Sequence, residues 1–200
     1  MKTFTVAAIA LCCVTGSSAT LINLVNQCPY GVTAFARSGS SATNSYNLGA
    51  SGGYQQLDVG SSFPAGLIFA STTGSENNAQ ATQLEITAGA NGRDTYDISL
   101  VNAYNLPAAI QPIDIVNDSP NGHECGTPSC TITDLQSFCQ SPNQYGGTFC
   151  TNTDGPGNVA TSGTEAFKSA CPDAYSYSKD DDTSTWGCNT GTNYNFIFCP

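Results

Sequence analysis

The chain has 200 residues and a formal net charge of −10 at neutral pH, with five Lys and Arg residues against fifteen Asp and Glu residues. Because phosphate backbones are bound through clustered Lys and Arg, this composition excludes a nucleic-acid partner and disfavours an anionic membrane surface. Neutral and cationic polymers remain open as partners. A simpler alternative is that the acidity only keeps a secreted protein soluble.

The N-terminus predicts a secretory signal over residues 1–19. Met1 and Lys2 precede an apolar stretch from Phe4 to Val14, and small residues precede a cut before Thr20. The stretch is shorter than the roughly 20 residues that cross a bilayer, so we expect a soluble protein, extracellular or in the cell wall, without a membrane span. Eight cysteines then remain, which predicts four disulfides among about 105 possible pairings. They are Cys28, Cys125, Cys130, Cys139, Cys150, Cys171, Cys188 and Cys199.

Short runs rich in β-branched and aromatic residues follow, separated by Gly, Ser and Asn. The Gly- and Ser-rich segment 38–53 predicts loops that flank one strand. This texture is typical of an all-β sandwich. The other predicted strands are 20–25, 31–36, 67–71, 83–87, 96–101 and 194–198.

Glu85 and Asp97 lie on two of these predicted strands. Because apolar residues alternate with both acids, their side chains are expected on the outer face of the sheet. A two-residue loop at 91–92 would pair Glu85 with Ile98 and bring buried and solvent faces into conflict. A three-residue loop at 90–92 pairs Glu85 with Asp97, and we predict this form, with its glycine in the left-handed region.

Directly opposed carboxyl groups, with Cβ atoms about 4.5 to 5.5 Å apart, repel each other and raise the pKa of one of them. Glycoside hydrolysis uses two carboxyl groups, one as acid and one as nucleophile or base. The ordinary alternative is that Glu85 and Asp97 are solvent-facing residues of a hairpin without a chemical role.

The segment 131–171 is rich in Cys, Gly, Pro and Gln and predicts a disulfide-rich lobe, while 20–130 and 172–200 form the sandwich. A short helix is predicted at 133–140, with Thr131 or Thr133 as its cap. Just before this lobe, Asn117 begins a glycosylation sequon, although the proline after the sequon lowers its expected use.

The Asp180-Asp181-Asp182 triplet suggests either a calcium site or a solvated loop, and alternating side-chain directions favour the loop. His123 is the single histidine, and the cysteines are expected to be oxidised. Ser-His-Asp, Cys-His and multi-histidine zinc sites are therefore not expected. We predict no metal and no cofactor.

The last thirty residues join Cys-Pro-Asp-Ala-Tyr-Ser-Tyr, Asp-Asp before Thr-Ser-Thr, and a closing aromatic strand with Cys199-Pro200. INLVNQCPYGVTAFAR near the start and DTYDISLVNAYNLP at 94–107 agree with them. With these features the chain resembles the thaumatin-like protein family, in a short form with eight mature cysteines. The resemblance implies an all-β fold, a flattened sandwich with a small disulfide-rich second lobe and an acidic cleft between them.

The resemblance also implies how the cysteines pair. The Cys-rich loop that many family members carry is here reduced to the segment 74–78, which has no cysteine. The implied disulfides are Cys28–Cys199, Cys125–Cys188, Cys130–Cys171 and Cys139–Cys150.

Family members line their cleft with one Arg, one Glu and three Asp, and bind or weakly hydrolyse β-1,3-glucan. Glu85, Asp97 and Asp180 match three of these positions and are the candidate catalytic residues, with Glu85 as the best candidate acid. Asn102 stands where the family has an Asp, and Leu67 stands where it has the Arg. The two replacements predict slow hydrolysis at most.

Three carboxylates and an amide can still bind a sugar, so Asn102, Tyr104 and Tyr177 are candidate substrate-binding residues, together with Tyr175. The alternative for each tyrosine is a place in the core. The predicted function is that of a secreted monomer that binds cell-wall β-1,3-glucan, with at most weak endo-β-1,3-glucanase activity, in defence, antifungal or wall-remodelling roles.

Two other functions remain open. One is a non-catalytic protein ligand, such as an inhibitor of a secreted enzyme or an effector, in which the cleft is vestigial. The other is membrane permeabilisation, which the lack of a basic amphipathic stretch disfavours.

Overall fold

The structure is a computed structural model that describes residues 19–200. Apart from Ala19, the predicted signal segment lies outside the described residues. Within residues 19–200, none of the helices has the length and apolar character needed to cross a membrane.

Most of the described chain forms short strands joined by turns. The strands are β1 (Leu21–Asn26), β2 (Val32–Ser38), β3 (Asn44–Leu48), β4 (Gly53–Asp58), β5 (Phe63–Ser71), β6 (Gln83–Ala90), β7 (Arg93–Ser99), β8 (Ala103–Tyr104), β9 (Ala108–Ile113), β10 (Ser129–Cys130), β11 (Gln144–Tyr145), β12 (Cys150–Thr151), β13 (Trp186–Asn189) and β14 (Asn193–Phe198). The α-helices are α1 (Leu135–Phe138), α2 (Ser162–Ala170) and α3 (Asp181–Ser184), and a 3₁₀ turn covers Asn78–Gln80.

Two large sheets form the sandwich. One has the strand order β10-β9-β14-β1-β4, in which β1 runs parallel to β14, and the other has the order β13-β7-β6-β5-β2-β3. The fold is therefore all-β, as predicted.

The core lies between these two sheets because each contributes one apolar face. Ile22 and Leu24 on β1 alternate with half-buried neighbours, and Leu84 and Ile86 do the same on β6. The rings of Tyr96 on β7 and Tyr194 on β14 meet across the two sheets at 5.2 Å between centroids. Full burial of one such aliphatic side chain contributes about 1.5 to 3 kcal/mol, so the alternation fixes which face of each strand points inward.

A small third sheet, β11-β12-β8, joins β8 to the segment that carries α1 and α2. The predicted caps of α1, Thr131 and Thr133, are wrong, because Asp134 accepts a hydrogen bond from the Ser137 amide in that role. The sequence analysis missed α2, which begins with a reciprocal capping box between Thr161 and Thr164.

Four disulfides join strands and loops, three of them across more than 40 residues of the chain. Their pairs are the ones that the family resemblance implies, namely Cys28–Cys199, Cys125–Cys188, Cys130–Cys171 and Cys139–Cys150. The first bridge links the loop after β1 to the residue after β14, so it encloses nearly the whole described chain. The sequon residue Asn117 is exposed, and its glycosylation stays a prediction.

Candidate functional site

A tight hairpin between β6 and β7 carries the two central acids. Ala90 pairs with Arg93, so only Asn91 and Gly92 form the loop. Both loop residues have positive φ, 55° and 79°, as a type I′ turn requires. The predicted three-residue loop is therefore wrong.

The predicted pairing of Glu85 with Asp97 is nevertheless confirmed. The register shifts by one residue between Thr87 and Ala90, which makes a β-bulge in which Gly89 has a φ of +80°. A Cβ on Gly89 would collide with the Ser61 carbonyl oxygen. The bulge supplies the extra residue that sequence reasoning had assigned to the loop.

Asp94 holds this bulge in place from the buried side of β7. Its carboxylate accepts hydrogen bonds from the Gly89 amide at 2.8 Å, from Thr190 Oγ1 at 3.1 Å and from the Tyr194 hydroxyl at 3.0 Å. Burial raises the pKa of Asp94, and these hydrogen bonds oppose the shift without cancelling it. The buried Asp94 carboxyl group thus fixes the register between β6 and β7, and this register places Glu85 opposite Asp97.

Glu85 and Asp97, which we call the acid pair, sit on the outer face of the six-stranded sheet in an environment that penalises charge. Asp97 Oδ1 is shielded from solvent and has no hydrogen-bond partner among residues 19–200. Burial, followed by the negative charges of Glu85 and Asp181, raises the pKa of Asp97 well above its ordinary value. The pair therefore holds a proton more readily than two isolated carboxyl groups would.

The positive charge of Arg37 affects the pKa of Glu85 more than that of Asp97. One row crosses four strands as Arg37, Leu67, Glu85 and Asp97, in that order. Burial raises the pKa of Glu85, but the positive charge of Arg37 opposes this shift. Arg37 is nearer in the row to Glu85 than to Asp97, so Asp97 is the better proton donor and Glu85 the better carboxylate.

The family resemblance implies an Arg at position 67, where this chain has Leu, and it gives no role to Arg37. Arg37 directly follows a predicted strand, 31–36, and extending that strand by one residue would have placed its side chain on the outer face. What the sequence could not show is that β2 pairs with β5, which brings Arg37 into the same row as the acids.

Two adjoining pockets share the acid pair. The first is lined also by Ala65, Gly66, Ile86, Thr87 and Thr95. The second is lined also by Gln83, Ser99, Val101, Asn102, Tyr175 and Ser178. The pair thus stands in a groove whose other walls offer hydroxyl groups, amides and one tyrosine.

The predicted sugar-contacting residues divide between this groove and the core. Asn102 and Tyr175 line the second pocket, whereas Tyr177 is half-buried and lines neither. Tyr104 as a substrate-binding residue is wrong, because it is only 1% exposed. Its hydroxyl donates to the Ile132 carbonyl oxygen, and burial raises its pKa to about 12.

Asp180 is surrounded by hydrogen-bond donors and a lysine, which indicates a structural role. Its carboxylate accepts hydrogen bonds from the Ser176 amide and hydroxyl, each at 3.0 Å, and from Thr183 Oγ1 at 2.8 Å. Lys168 Nζ lies 3.1 Å from Asp180 Oδ2. Burial alone would raise the pKa of Asp180, but these partners together lower it.

The aspartate triplet forms the start of α3, so the prediction of a solvated loop is wrong for it. Asp180 is buried, while Asp181 and Asp182 are exposed. Asp181 is the member whose charge reaches the acid pair, and its Oδ1 accepts a hydrogen bond from the Tyr175 hydroxyl at 2.8 Å. The member of the triplet that acts on the acid pair is therefore Asp181, one residue after the predicted one, although it lines neither pocket.

The all-β fold agrees with what comparison with known proteins finds. A model of the thaumatin family matches residues 66–200, and the chain belongs to that family. A pathogenesis-related thaumatin-like protein of Cryptomeria japonica is 31% identical over 212 residues, covering 90% of this chain and 88% of the relative.

Other relatives match over shorter stretches. A pathogenesis-related 5 protein of Juniperus ashei is 35% identical over 121 residues, which cover 54% of this chain. That match spans about half of the relative's length, 49%. A glucan endo-1,3-beta-glucosidase of Prunus avium is 32% identical over 157 residues, covering 68% of this chain and 61% of the relative.

Proposed function

We propose that this protein is secreted and binds β-1,3-glucan of a cell wall in the groove around the acid pair, with at most slow endo-hydrolysis. The observation that carries the proposal is the direct pairing of Glu85 with Asp97 beside Arg37. A protonated Asp97 donates a hydrogen bond to a sugar oxygen, while an ionised Glu85 accepts from sugar hydroxyls. The glucan endo-1,3-beta-glucosidase among the relatives supports this class of ligand.

Slow hydrolysis follows from what surrounds the pair. A glycosidase needs a proton donor and a second carboxylate on opposite sides of the scissile bond, about 5 Å apart in retaining enzymes. Directly paired strand residues have Cβ atoms about 4.5 to 5.5 Å apart, so the two carboxyl groups start from neighbouring positions on one face of the sheet. Asn102, which lines the groove, is an amide and cannot transfer the proton that an acid at that position would supply.

A pull-down on insoluble β-1,3-glucan tests the proposal, with reducing ends assayed in the supernatant. Glu85→Gln should reduce the bound fraction about tenfold, because a charge-assisted hydrogen bond to the sugar becomes a neutral one. Glu165→Gln is the matched control, since Glu165 is exposed on α2 and the change removes the same charge.

The outcomes separate the functions that the sequence left open. Reducing ends that depend on Glu85 would establish an enzyme, and binding without reducing ends would establish a binding protein. If folded wild type does not bind, the proposal fails and a protein partner becomes the target of the search.

A further inference from the structure

A second pocket lies beyond the acid groove and plays no part in the function proposed above. It is lined by Tyr30, Asn105, the loop residues 148–149 and several residues of the segment 71–81, whose one charged member, Glu76, does not line the pocket. None of the described residues that line it is charged. On a chain with a net charge of −10, a charge-free pocket selects against ionic ligands and in favour of neutral ones. We call it the neutral pocket.

The neutral pocket combines aromatic rings with polar groups that are free to bind. Tyr30 is 44% exposed and the Phe149 ring is half-buried, so both present apolar surface at its walls. The side-chain amides of Asn77 and Gln80 line it without hydrogen-bond partners among residues 19–200. Rings that bury the apolar faces of a ligand, beside amides that bond its edges, suit a pyranose sugar.

The floor of this pocket is held rigidly. Asn105 Nδ2 donates to the Ala70 carbonyl oxygen at 2.8 Å, and the Thr82 amide donates to Asn105 Oδ1 at 2.9 Å. The Tyr30 backbone is fixed as well, because its carbonyl oxygen accepts a hydrogen bond from Asn26 Nδ2 at 2.8 Å. Little conformational freedom remains to be lost when a ligand binds.

The position of the neutral pocket relates it to the acid pair. Ala81, which lines the pocket, has extended backbone angles and lies four residues before Glu85, two residues ahead of the start of β6. Four extended residues span about 13 Å. Between them, Gln83 lines the acid groove. The two sites therefore follow one another along the chain that leads into β6, at a distance that several linked sugar rings would span.

We propose that the neutral pocket is a second subsite for the same polysaccharide, which holds sugar rings of a chain whose other end lies at the acid pair. This inference rests on the proposed function. Two linked subsites make the second contact intramolecular, so affinity should rise with oligosaccharide length until both are filled. The acid pair supplies charged hydrogen bonds, and the neutral pocket supplies stacking.

A length series of β-1,3-glucan oligosaccharides tests the second subsite by calorimetric titration. Tyr30→Ala should weaken binding of long oligosaccharides about tenfold and leave the trisaccharide unchanged, while Tyr30→Phe, which keeps the ring, should bind like wild type. Glu85→Gln should weaken both lengths. Tyr54→Ala is the matched control, because Tyr54 is another exposed tyrosine but lies on β4 of the other sheet.

The second subsite is overturned if Tyr30→Ala binds long oligosaccharides as tightly as wild type, or if wild-type affinity does not grow with length. If wild type binds no β-1,3-glucan, the proposed function fails separately, and xylan and chitin oligosaccharides are titrated on the same variants. Tyr30-dependent binding of either would retain the pocket as a neutral-sugar site, and no binding of any would overturn it.

Discussion

Asp97 and Asp180 are two shielded carboxyl groups whose surroundings shift their pKa values in opposite directions. Asp180 is paired with Lys168 and accepts three hydrogen bonds, which lower its pKa despite burial. Asp97 has an oxygen without a hydrogen-bond partner among the described residues, and its burial, followed by two negative neighbours, raises its pKa. A fully partnered carboxylate stabilises the fold, whereas an unpartnered one reduces stability and stays available to a ligand.

Among the variants considered, Asp180→Ala should lower the free energy of unfolding most, because it removes the fully partnered carboxylate. Removal of the carboxylate leaves the Lys168 charge uncompensated, although Nζ still donates to Ala174 O and Ser184 Oγ, and it leaves the Ser176 donors without their acceptor. The free energy of unfolding should fall by about 3 kcal/mol. Chemical denaturation under non-reducing conditions measures the loss. Asp182→Ala, a change at an exposed neighbour, should have almost no effect, and equal losses in the two variants would contradict the structural role of Asp180.

Asp97→Asn tests the difference between Asp97 and Asp180 through the pH dependence of the free energy of unfolding. The pKa values of Asp97 and Glu85 are raised in the folded state, from 3.8 and 4.5. The stabilising contribution of the two groups is therefore complete below the ordinary, unfolded-state values of 3.8 and 4.5. It is lost as the pH rises through the higher pKa values of the folded state. We expect the free energy of unfolding to fall with rising pH above about pH 4, by up to about 1.4 kcal/mol per pH unit for each proton.

The amide in Asp97→Asn cannot ionise, so this variant should be more stable than wild type at neutral pH by about 1 kcal/mol and show a flatter profile. Asp182→Asn keeps the wild-type profile as the control. The Asp180 contribution has the opposite sign, because its pKa is lowered, and it is lost as the pH falls through the lowered value. A wild-type profile that stays flat above pH 4 would contradict the environment assigned to the acid pair.

Arg37→Leu should have the smallest effect, below about 1 kcal/mol on stability, yet it tests the asymmetry within the acid pair. Without the guanidinium, the pKa of Glu85 should rise, and the proton should be shared more evenly with Asp97. Carbon NMR titration of the two side-chain carboxyl groups measures this directly. Arg37→Lys keeps the positive charge and should preserve the wild-type titration of Glu85, whereas an unchanged titration in Arg37→Leu would remove Arg37 from the site.

The sequence predicted more of the sandwich than of its turns and later strands. Strands with clear alternation, such as β1 and β6, were found, since Ile22, Leu24, Leu84 and Ile86 mark one buried face. The polar edge strand β4 has no buried residue and was missed. Both β9 and β13 were missed as well, because nearly continuous burial removes the alternation that marks a half-exposed strand.

The candidate site was predicted in part for similar reasons. The alternation around Glu85 and Asp97 predicted that both acids share a face, and the rule that buried faces must match predicted their pairing. The side chains of Tyr104 and Tyr177 could not be placed, since a tyrosine in a short strand is compatible with core and surface alike. Asp181 was missed because three consecutive aspartates give no local signal for which one is buried.

By itself, the sequence determined the all-β class, the family and the common face of the two acids, since periodicity and motif spacing depend on residues near each other in the chain. It also predicted their pairing, but the bulge that sets this register is held by contacts of Asp94 with distant residues. Only the tertiary structure decided that Arg37 joins the acids, that Asp180 is bound by Lys168, and that the neutral pocket follows the acid groove. Each of these depends on strand order and on the packing of distant segments. Charges act through space, so the environment of a carboxyl group is set by the neighbours that folding brings to it.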